Sequence, residues 1–292
     1  MVNSDFDEHS ITQAVLDRFA NTPDARLKRI IQSLVRHAHD FIRDVELTEE
    51  EWLAGIQFLT AAGHITDDKR QEFILLSDTL GISMLVDAIN HRLPQGATET
   101  TVLGPFYVTP PAFDNGADIA KGQPGTPLFV SGRVESSAGA PLADAQVDVW
   151  QSDDEGYYDV QKSDDLSLRA RLRADGEGHF SFWTIVPKFY PIPHDGPVGQ
   201  MLVATKRHPY RPAHVHFMIS SQGYEMLVTH LFVEGDRYLD SDAVFGVKES
   251  LIVSLVDHDA GSAAPGGVVT GPWKSLDHTF GLKPAAGSKA TR

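Results

Sequence analysis

The sequence predicts an α+β protein, with a helical domain over residues 1–105 followed by an all-β sandwich over residues 106–292. Three observations carry this. Apolar residues in the first 95 positions recur at helical spacing. The character changes near Pro94, and residues 94–126 are dense in proline, glycine and turn signals such as Pro110-Pro111 and Asn115-Gly116. Beyond that point short apolar runs alternate with turns, as in a sandwich.

The elements follow in order. Pro23 fits the first turn of a helix with Thr22 as its N-cap. Leu27, Ile30, Ile31, Leu34, Val35, Ala38, Phe41 and Ile42 then lie along one helical face. Thr48 to Glu51 reads as a capping box leading into Trp52, Leu53, Ile56 and Leu59, with Gly63 as the stop. A third helix is expected from about Thr66, carrying Phe73, Ile74 and Leu76, with Gly81 breaking it before Met84, Leu85, Val86 and Ile89. Strands are expected at 128–134, 145–150, 166–173, 179–185, 214–220 and 226–233. Asp175-Gly176 reads as a hairpin turn between two of them, and Gln222-Gly223 lies between two others. The tail from Ala285 is small and polar and reads as unstructured.

Composition narrows the function. The net charge of −15, from 40 acids against 25 bases, disfavours nucleic acid and anionic membranes as partners. With no cysteine, disulfides, thiolate–metal sites and cysteine nucleophiles are excluded. Any transition metal must be held by His, Asp, Glu or Tyr. The polar, acidic N-terminus lacks the pattern of a signal peptide, and no apolar run has the length of a membrane span, so a cytoplasmic protein is expected.

The most informative stretch is Arg211-Pro-Ala-His214-Val-His216. On a strand, His214 and His216 share one face while Val215 and Phe217 take the other. Two imidazoles on one face can bind a metal, or can be polar residues on a solvated surface. A metal needs more ligands. One route uses a third histidine or a carboxylate, with His208, His230, Glu225 and Asp236 as candidates. The other uses tyrosine, whose phenolate is a hard donor suited to a trivalent ion. Tyr158 follows Gly156-Tyr157, and Tyr190 lies in the proline-pinned loop Pro187-Lys-Phe-Tyr-Pro-Ile-Pro193. Loop tyrosines also serve simply as amphipathic packing residues.

These residues together resemble the intradiol ring-cleavage dioxygenases. The run Val130-Ser-Gly-Arg-Val134, Gly139, Val147-Asp-Val149 and Gly156-Tyr157-Tyr158 is similar to the family signature, which ends in an iron-binding tyrosine. Tyr190 matches a Tyr-x-x-Pro loop, and residues 211–216 match Arg-Pro-Ala-His-x-His. The resemblance implies one non-haem Fe(III) per subunit, held by Tyr158, Tyr190, His214 and His216, with water or hydroxide as a further ligand. It implies ring opening of a catechol by O₂ to a muconate, with Tyr190 taking a substrate proton as it leaves the metal. Arg211 is then the group that stabilises developing negative charge, with a structural ion pair as its other reading. His230 stands where catechol-cleaving relatives commonly carry Gln; it is expected to hydrogen-bond near the site and to titrate near neutral pH.

Leu75-Leu-Ser-Asp78-Thr-Leu-Gly81 and the segments from Gly96 to Glu99 and Leu103 to Val108 look most like the members that cleave hydroxyquinol, giving maleylacetate. Leu75 and Asp78 lie one helical turn apart and are candidate substrate contacts, with Val102, Leu103 and Gly104 as the opposite wall. Asp78 would accept a hydrogen bond from the third hydroxyl. Catechol and chlorocatechols are the alternative substrates. The resemblance also implies a homodimer through the N-terminal helices, with a phospholipid at the interface. Two other readings remain: a His-x-His Fe(II) or zinc site with a carboxylate ligand, and a non-catalytic β-sandwich binding module.

Overall fold

The computed structural model describes residues 6–67, 70–162 and 165–286, and the chain divides into two compact units, residues 1–61 and 62–292. The first unit holds α1 (Ile11–Arg18), α2 (Ala25–Asp44) and most of α3 (Glu49–Ile65). The N-cap of α2 is Asp24 rather than Thr22. Its carboxylate accepts from the Arg26 and Leu27 amides at 2.8 and 3.0 Å, which leaves Pro23 outside the helix. The Thr48 box forms as expected: Glu51 Oε2 accepts from the Thr48 amide at 3.0 Å, and Thr48 Oγ1 accepts from the Glu51 amide at 3.2 Å. Gly63 does not stop α3, which runs on to Ile65. A glycine ends a helix where the chain turns left-handed, and Gly63 is not among the positive-φ residues.

The second unit opens with α4 (Glu72–Thr79) and α5 (Ile82–Asn90). The helix expected from Thr66 therefore starts at Glu72; Thr66 instead donates back to the Ala62 carbonyl at 2.8 Å and finishes α3. Gly81 separates α4 from α5 at φ +71°, as expected. These helices pack with the β region, so the compact unit begins well before residue 105. The link is Glu72, fully buried and paired with Arg70; Glu72 Oε1 accepts the Val198 amide in the first turn of α7 (Pro197–Ala204) at 3.0 Å. A carboxylate at a helix N-terminus satisfies an orphan N–H and the helix dipole together.

Two five-stranded sheets form the sandwich. One orders β1 (Ala117–Asp118), β5 (His179–Ile185), β2 (Pro127–Ser136), β14 (Trp273–Leu282) and β11 (Val256–His258). The other orders β10 (Ile252–Val253), β9 (Leu227–Val233), β8 (His214–Ser220), β3 (Gln146–Gln151) and β4 (Arg169–Arg173). Leu128, Val130, Phe182 and Phe280 from the first sheet and Val149, Val215, Phe217 and Leu231 from the second share one buried core. The sheets are mixed: β14 runs parallel to β2, β1 to β5 and β10 to β9, while β12 (Ala263–Ala264) and β13 (Gly267–Val268) pair only with each other among the described residues.

The turn at Asp175-Gly176 forms, with the Gly178 amide donating to the Asp175 carbonyl at 3.0 Å, but it does not make a hairpin. β4 pairs with β3 and β5 pairs with β2, so this turn carries the chain from one sheet to the other. The turn signal is local, whereas the choice of sheet is made by core contacts made far along the chain. Gln222-Gly223 does join a true antiparallel pair, β8 and β9. Of the C-terminal tail, Ala285 donates its amide to the Gly223 carbonyl at 2.9 Å, and residues 287–292 lie outside the described residues.

Candidate metal centre

β8 is the central strand of its sheet, and the alternation read from the sequence holds. Val215, Phe217 and Ile219 enter the sandwich core, which turns His214 and His216 to the opposite face. That face is not solvated: both histidines are buried beneath the residues that follow β3 and the loop around Tyr190. Tyr158 comes from the turn between β3 and the short helix α6 (Asp159–Lys162). Tyr190 lies in β6 (Tyr190–Pro191), which pairs with β7 (Tyr210–Arg211) so that Tyr190 stands opposite Arg211.

The four side chains converge. Tyr158 Oη lies 2.8 Å from His216 Nε2 and 3.5 Å from His214 Nε2, and the two Nε2 atoms are 3.1 Å apart. The Tyr190 ring sits 5.1 Å from that of Tyr158 and 5.5 Å from that of His214. His214 Nδ1 lies 2.7 Å from the Pro212 carbonyl, so Nδ1 donates and Nε2 carries a lone pair. That lone pair points into the cluster, 3.1 Å from His216 Nε2. Hydrogen-bonding the outer nitrogen of a metal-binding histidine is how proteins fix its tautomer.

Electrostatics point the same way. Burial, then the Arg211 charge, pushes the His214 imidazole well below its usual range, and burial with the neighbouring His214 and Arg211 does so for His216. Both rings are therefore neutral and free to ligate. Burial and the adjacent Tyr190 push the Tyr158 phenol well above its ordinary value. Only a strong cation reverses that last preference. Two imidazoles and two phenols form a hard donor set suited to a trivalent iron, and the residues fit that ion.

Several residues shape this cluster that the sequence did not single out. Phe106 stacks on Tyr158 with ring centres 4.5 Å apart, and Trp150 stacks on His216 at 4.5 Å. Asp159, next to Tyr158, forms a buried ion pair with Arg169, whose Nη1 also donates to the Phe106 carbonyl at 3.2 Å. Gly156 has φ +92°, and a Cβ there would meet the Phe189 carbonyl at 2.7 Å, so the turn that aims Tyr158 needs glycine. No local pattern marks Trp150, Asp159 or Arg169; only the Gly-x-Tyr spacing did so for Gly156.

The other sequence candidates fall out as follows. Arg211 is buried and pairs with Asp242, Nε to Oδ1 at 3.1 Å and Nη2 to Oδ2 at 3.3 Å. Burial works against its charge, but Asp242 and the two tyrosines more than offset this, so it stays protonated. It is thus both an ion pair and a cation beside Tyr158 and Tyr190. His230, on β9, stands directly opposite His216, and their rings are 4.1 Å apart. It does not titrate near neutrality: burial, then His216 and Arg211, holds it well below its usual range. His214, His216 and His230 form a three-histidine group whose nitrogens lie within 4.8 Å of one another.

The carboxylate route finds no support among the described residues. Glu225 pairs with Lys283 at 3.0 Å, and Asp236 accepts the Ala213 and Tyr238 amides. His208 meets Ser241 at 2.9 Å. Leu75 and Asp78 are both buried on α4, and Asp78 feels the charges of Arg211 and Asp242. Gly104 packs against His216, since a Cβ there would lie 3.3 Å from Cε1. Val102 is half-buried and Leu103 is exposed. Cavities of about 520 and 410 Å³ adjoin this region without being lined by the four donors; the larger is lined by Asp242, Arg207 and Phe245.

Comparison with known proteins agrees with this geometry. Residues 102–282 match the family described as Dioxygenase, and residues 24–98 match Catechol dioxygenase N terminus. A 6-chlorohydroxyquinol 1,2-dioxygenase of Cupriavidus pinatubonensis is 55% identical over 88% of this chain and 95% of its own. A hydroxyquinol 1,2-dioxygenase of Nocardioides simplex is 50% identical over 95% of this chain and 96% of its own. The crystal structure of a hydroxyquinol 1,2-dioxygenase from Pseudomonas putida superposes with a TM-score of 0.90 at 52% identity, covering 95% of this chain and 99% of that one. The chain belongs to the intradiol ring-cleavage dioxygenase family and is an enzyme of that class. The binding-module reading is set aside.

Proposed function

We propose that the enzyme opens the ring of hydroxyquinol between its adjacent hydroxyl-bearing carbons, using O₂ and one ferric iron per subunit. Tyr158, Tyr190, His214 and His216 would hold the iron. The observation that carries this is the meeting of Tyr158 Oη with both histidine Nε2 atoms in a buried site. Iron held there would supply Lewis acidity that lowers the pKa of the diol hydroxyls, and loss of those protons leaves the ring electron-rich. Tyr190 Oη takes one proton from the substrate diol. Arg211, clamped by Asp242, holds positive charge beside that oxygen as negative charge develops. His230 offers a hydrogen bond from the same face, and Leu75, Val102, Leu103 and Gly104 shape the wall.

Asp78 would accept the hydrogen bond of the third hydroxyl. A site built to bond a hydroxyl discriminates strongly against analogues that lack it. Oxygen uptake with hydroxyquinol, 6-chlorohydroxyquinol and catechol, with detection of maleylacetate from the first, tests the assignment; a clear preference for catechol would overturn it. Asp78→Val is expected to erode the hydroxyquinol-to-catechol ratio in kcat/KM by about a hundredfold or more.

Asp78 also makes a pH prediction. Burial is the main cause that raises its carboxyl above the usual range, opposed by Ser83 and Arg211. A carboxyl raised by folding contributes its full stability below its unfolded pKa of about 4 and loses it as pH rises through the raised value. Asp78→Asn is therefore expected to be more stable than the wild type at neutral pH. The gain should shrink in acid, measured by thermal unfolding at both pH values.

The helical residues 1–105 are proposed to form the dimer interface, with 106–292 as the catalytic domain. Leu27, Leu34, Phe41, Trp52 and Leu53 are exposed on α2 and α3, as are Phe73, Ile74, Leu85 and Val86 on α4 and α5. Exposed apolar residues in this number mark a buried interface or a lipid surface. Analytical ultracentrifugation tests the dimer, and mass spectrometry of extracted lipid tests a phospholipid between its halves. No helix among the described residues is long and apolar enough to cross a membrane.

A further inference from the structure

Residues 99–101 are fastened to the site. The Thr101 amide donates to the Val228 carbonyl at 2.9 Å, and Thr229 Oγ1 donates to the Glu99 carbonyl at 2.7 Å. Thr100 Oγ1 donates to Asp87 Oδ2 at 2.9 Å, and Lys248 Nζ to the Thr100 carbonyl at 2.6 Å. These bonds hold the Thr101 hydroxyl against Nδ1 of His230, with both side chains buried.

Two hydrogen arrangements are open to this pair, and each leaves one buried donor unmatched among the described residues. Thr101 Oγ1 has no other partner among the described residues. If His230 carried its proton on Nδ1, the hydroxyl would accept it and strand its own buried hydrogen, at the cost of an unsatisfied donor. If the hydroxyl donates to Nδ1, the ring proton of the neutral imidazole sits on Nε2, and the unmatched donor is then on the ring beside His214 and His216, where an oxygen bound in the site can accept it. That Nε2 is fully buried and has no partner among the described residues, while the ring packs 4.1 Å from His216 and 4.7 Å from His214.

We infer that Thr101 is a positioning residue whose hydroxyl holds His230 as the Nε2–H tautomer, so that a fixed N–H donor faces negatively charged oxygen in the site. The inference rests on the proposed role of His230 in turnover. It gives the segment just before Val102, Leu103 and Gly104 a second task, coupling the pocket wall to the proton position on a residue beside both candidate histidine ligands. A donor fixed in advance costs no reorganisation when charge develops. An imidazole in the wrong tautomer would present a lone pair to that charge instead.

The test uses ¹⁵N-histidine NMR on the full chain loaded with gallium(III), a diamagnetic stand-in for ferric iron, with His230→Gln identifying the resonances. The wild type and Thr101→Ser should show protonated Nε2 and bare Nδ1. Thr101→Val, which removes only the hydroxyl at constant volume, should populate the Nδ1–H form. In the iron-loaded enzyme Thr101→Val should lower kcat about tenfold with KM little changed, the scale of one misplaced hydrogen bond, and Thr101→Ser should restore it. A wild type protonated on Nδ1, or a Thr101→Val protein still held wholly as Nε2–H, overturns the inference. Wild-type turnover by His230→Leu would remove instead the role of His230 on which it rests, whatever the NMR shows about the tautomer.

Discussion

Tyr158→Phe is expected to abolish turnover while leaving the fold intact. The substitution removes a single oxygen, the one that approaches His216 Nε2 at 2.8 Å and His214 Nε2 at 3.5 Å. The ring itself is fully buried between Phe106, Tyr190 and His216, and phenylalanine fills that space. Because burial disfavours the Tyr158 phenolate in the absence of a cation, that oxygen has no structural reason to ionise. The loss should therefore appear in iron affinity and rate, not in stability. Removing even an outer partner of a metal ligand costs about 10–100-fold, so loss of a ligand should exceed a hundredfold in kcat/KM. Iron content and thermal unfolding, measured on the same preparation, separate the two effects. A Tyr158→Phe protein that retained iron and turned over normally would remove Tyr158 from the ligand set.

The second large effect concerns Arg211 and Asp242, both almost fully buried. Asp242 also accepts the Gly246 amide at 2.9 Å and the Val244 amide at 3.3 Å, so one carboxylate fixes both the guanidinium and the loop that follows. A Cβ at Gly246 would lie 2.9 Å from Arg211 Nη2, so a side chain there would push on the guanidinium. Removing one member of a buried pair costs about 3–5 kcal/mol because the other is left charged and unpaired, whereas replacing both with apolar groups is often neutral. Asp242→Ala is thus expected to lower stability by about 3–5 kcal/mol and to reduce turnover by releasing Arg211. An Arg211→Met, Asp242→Leu double variant should recover much of the stability in chemical denaturation. It should not recover activity if the guanidinium stabilises developing charge. Recovery of both would reduce Arg211 to a structural cation.

Legibility in the sequence followed the range of the interactions. The face shared by His214 and His216 was readable because a strand alternates with a period of two, and Val215 and Phe217 had to enter the core. The Thr48–Glu51 box was readable because both partners lie within one turn. The link between Glu72 and the Val198 amide, 126 residues apart, left no local trace. Neither did the pairing of Thr101 with His230, or of Arg211 with Asp242. β14 escaped notice because its burial does not alternate, and it lies parallel to β2, reached from far along the chain. α7 is short and contains Gly199, where a Cβ would fall 1.8 Å from the His194 carbonyl, so close packing outweighed helix propensity. Asp24 displaced Thr22 as a cap because a cap is decided by the residue adjoining the first helical position. His230 was read with its solution pKa, and burial among imidazoles and Arg211 changed that.

The most direct test of the account is the visible absorption spectrum of the ferric-iron-loaded protein, recorded without oxygen before and after addition of hydroxyquinol. Two tyrosine oxygens bound to Fe(III) predict a broad visible band that moves to longer wavelength as the diol binds, and Tyr158→Phe should weaken it. A colourless protein that takes up no ferric iron, or a band unchanged by hydroxyquinol, would contradict the assignment of Tyr158, Tyr190, His214 and His216 as the metal centre.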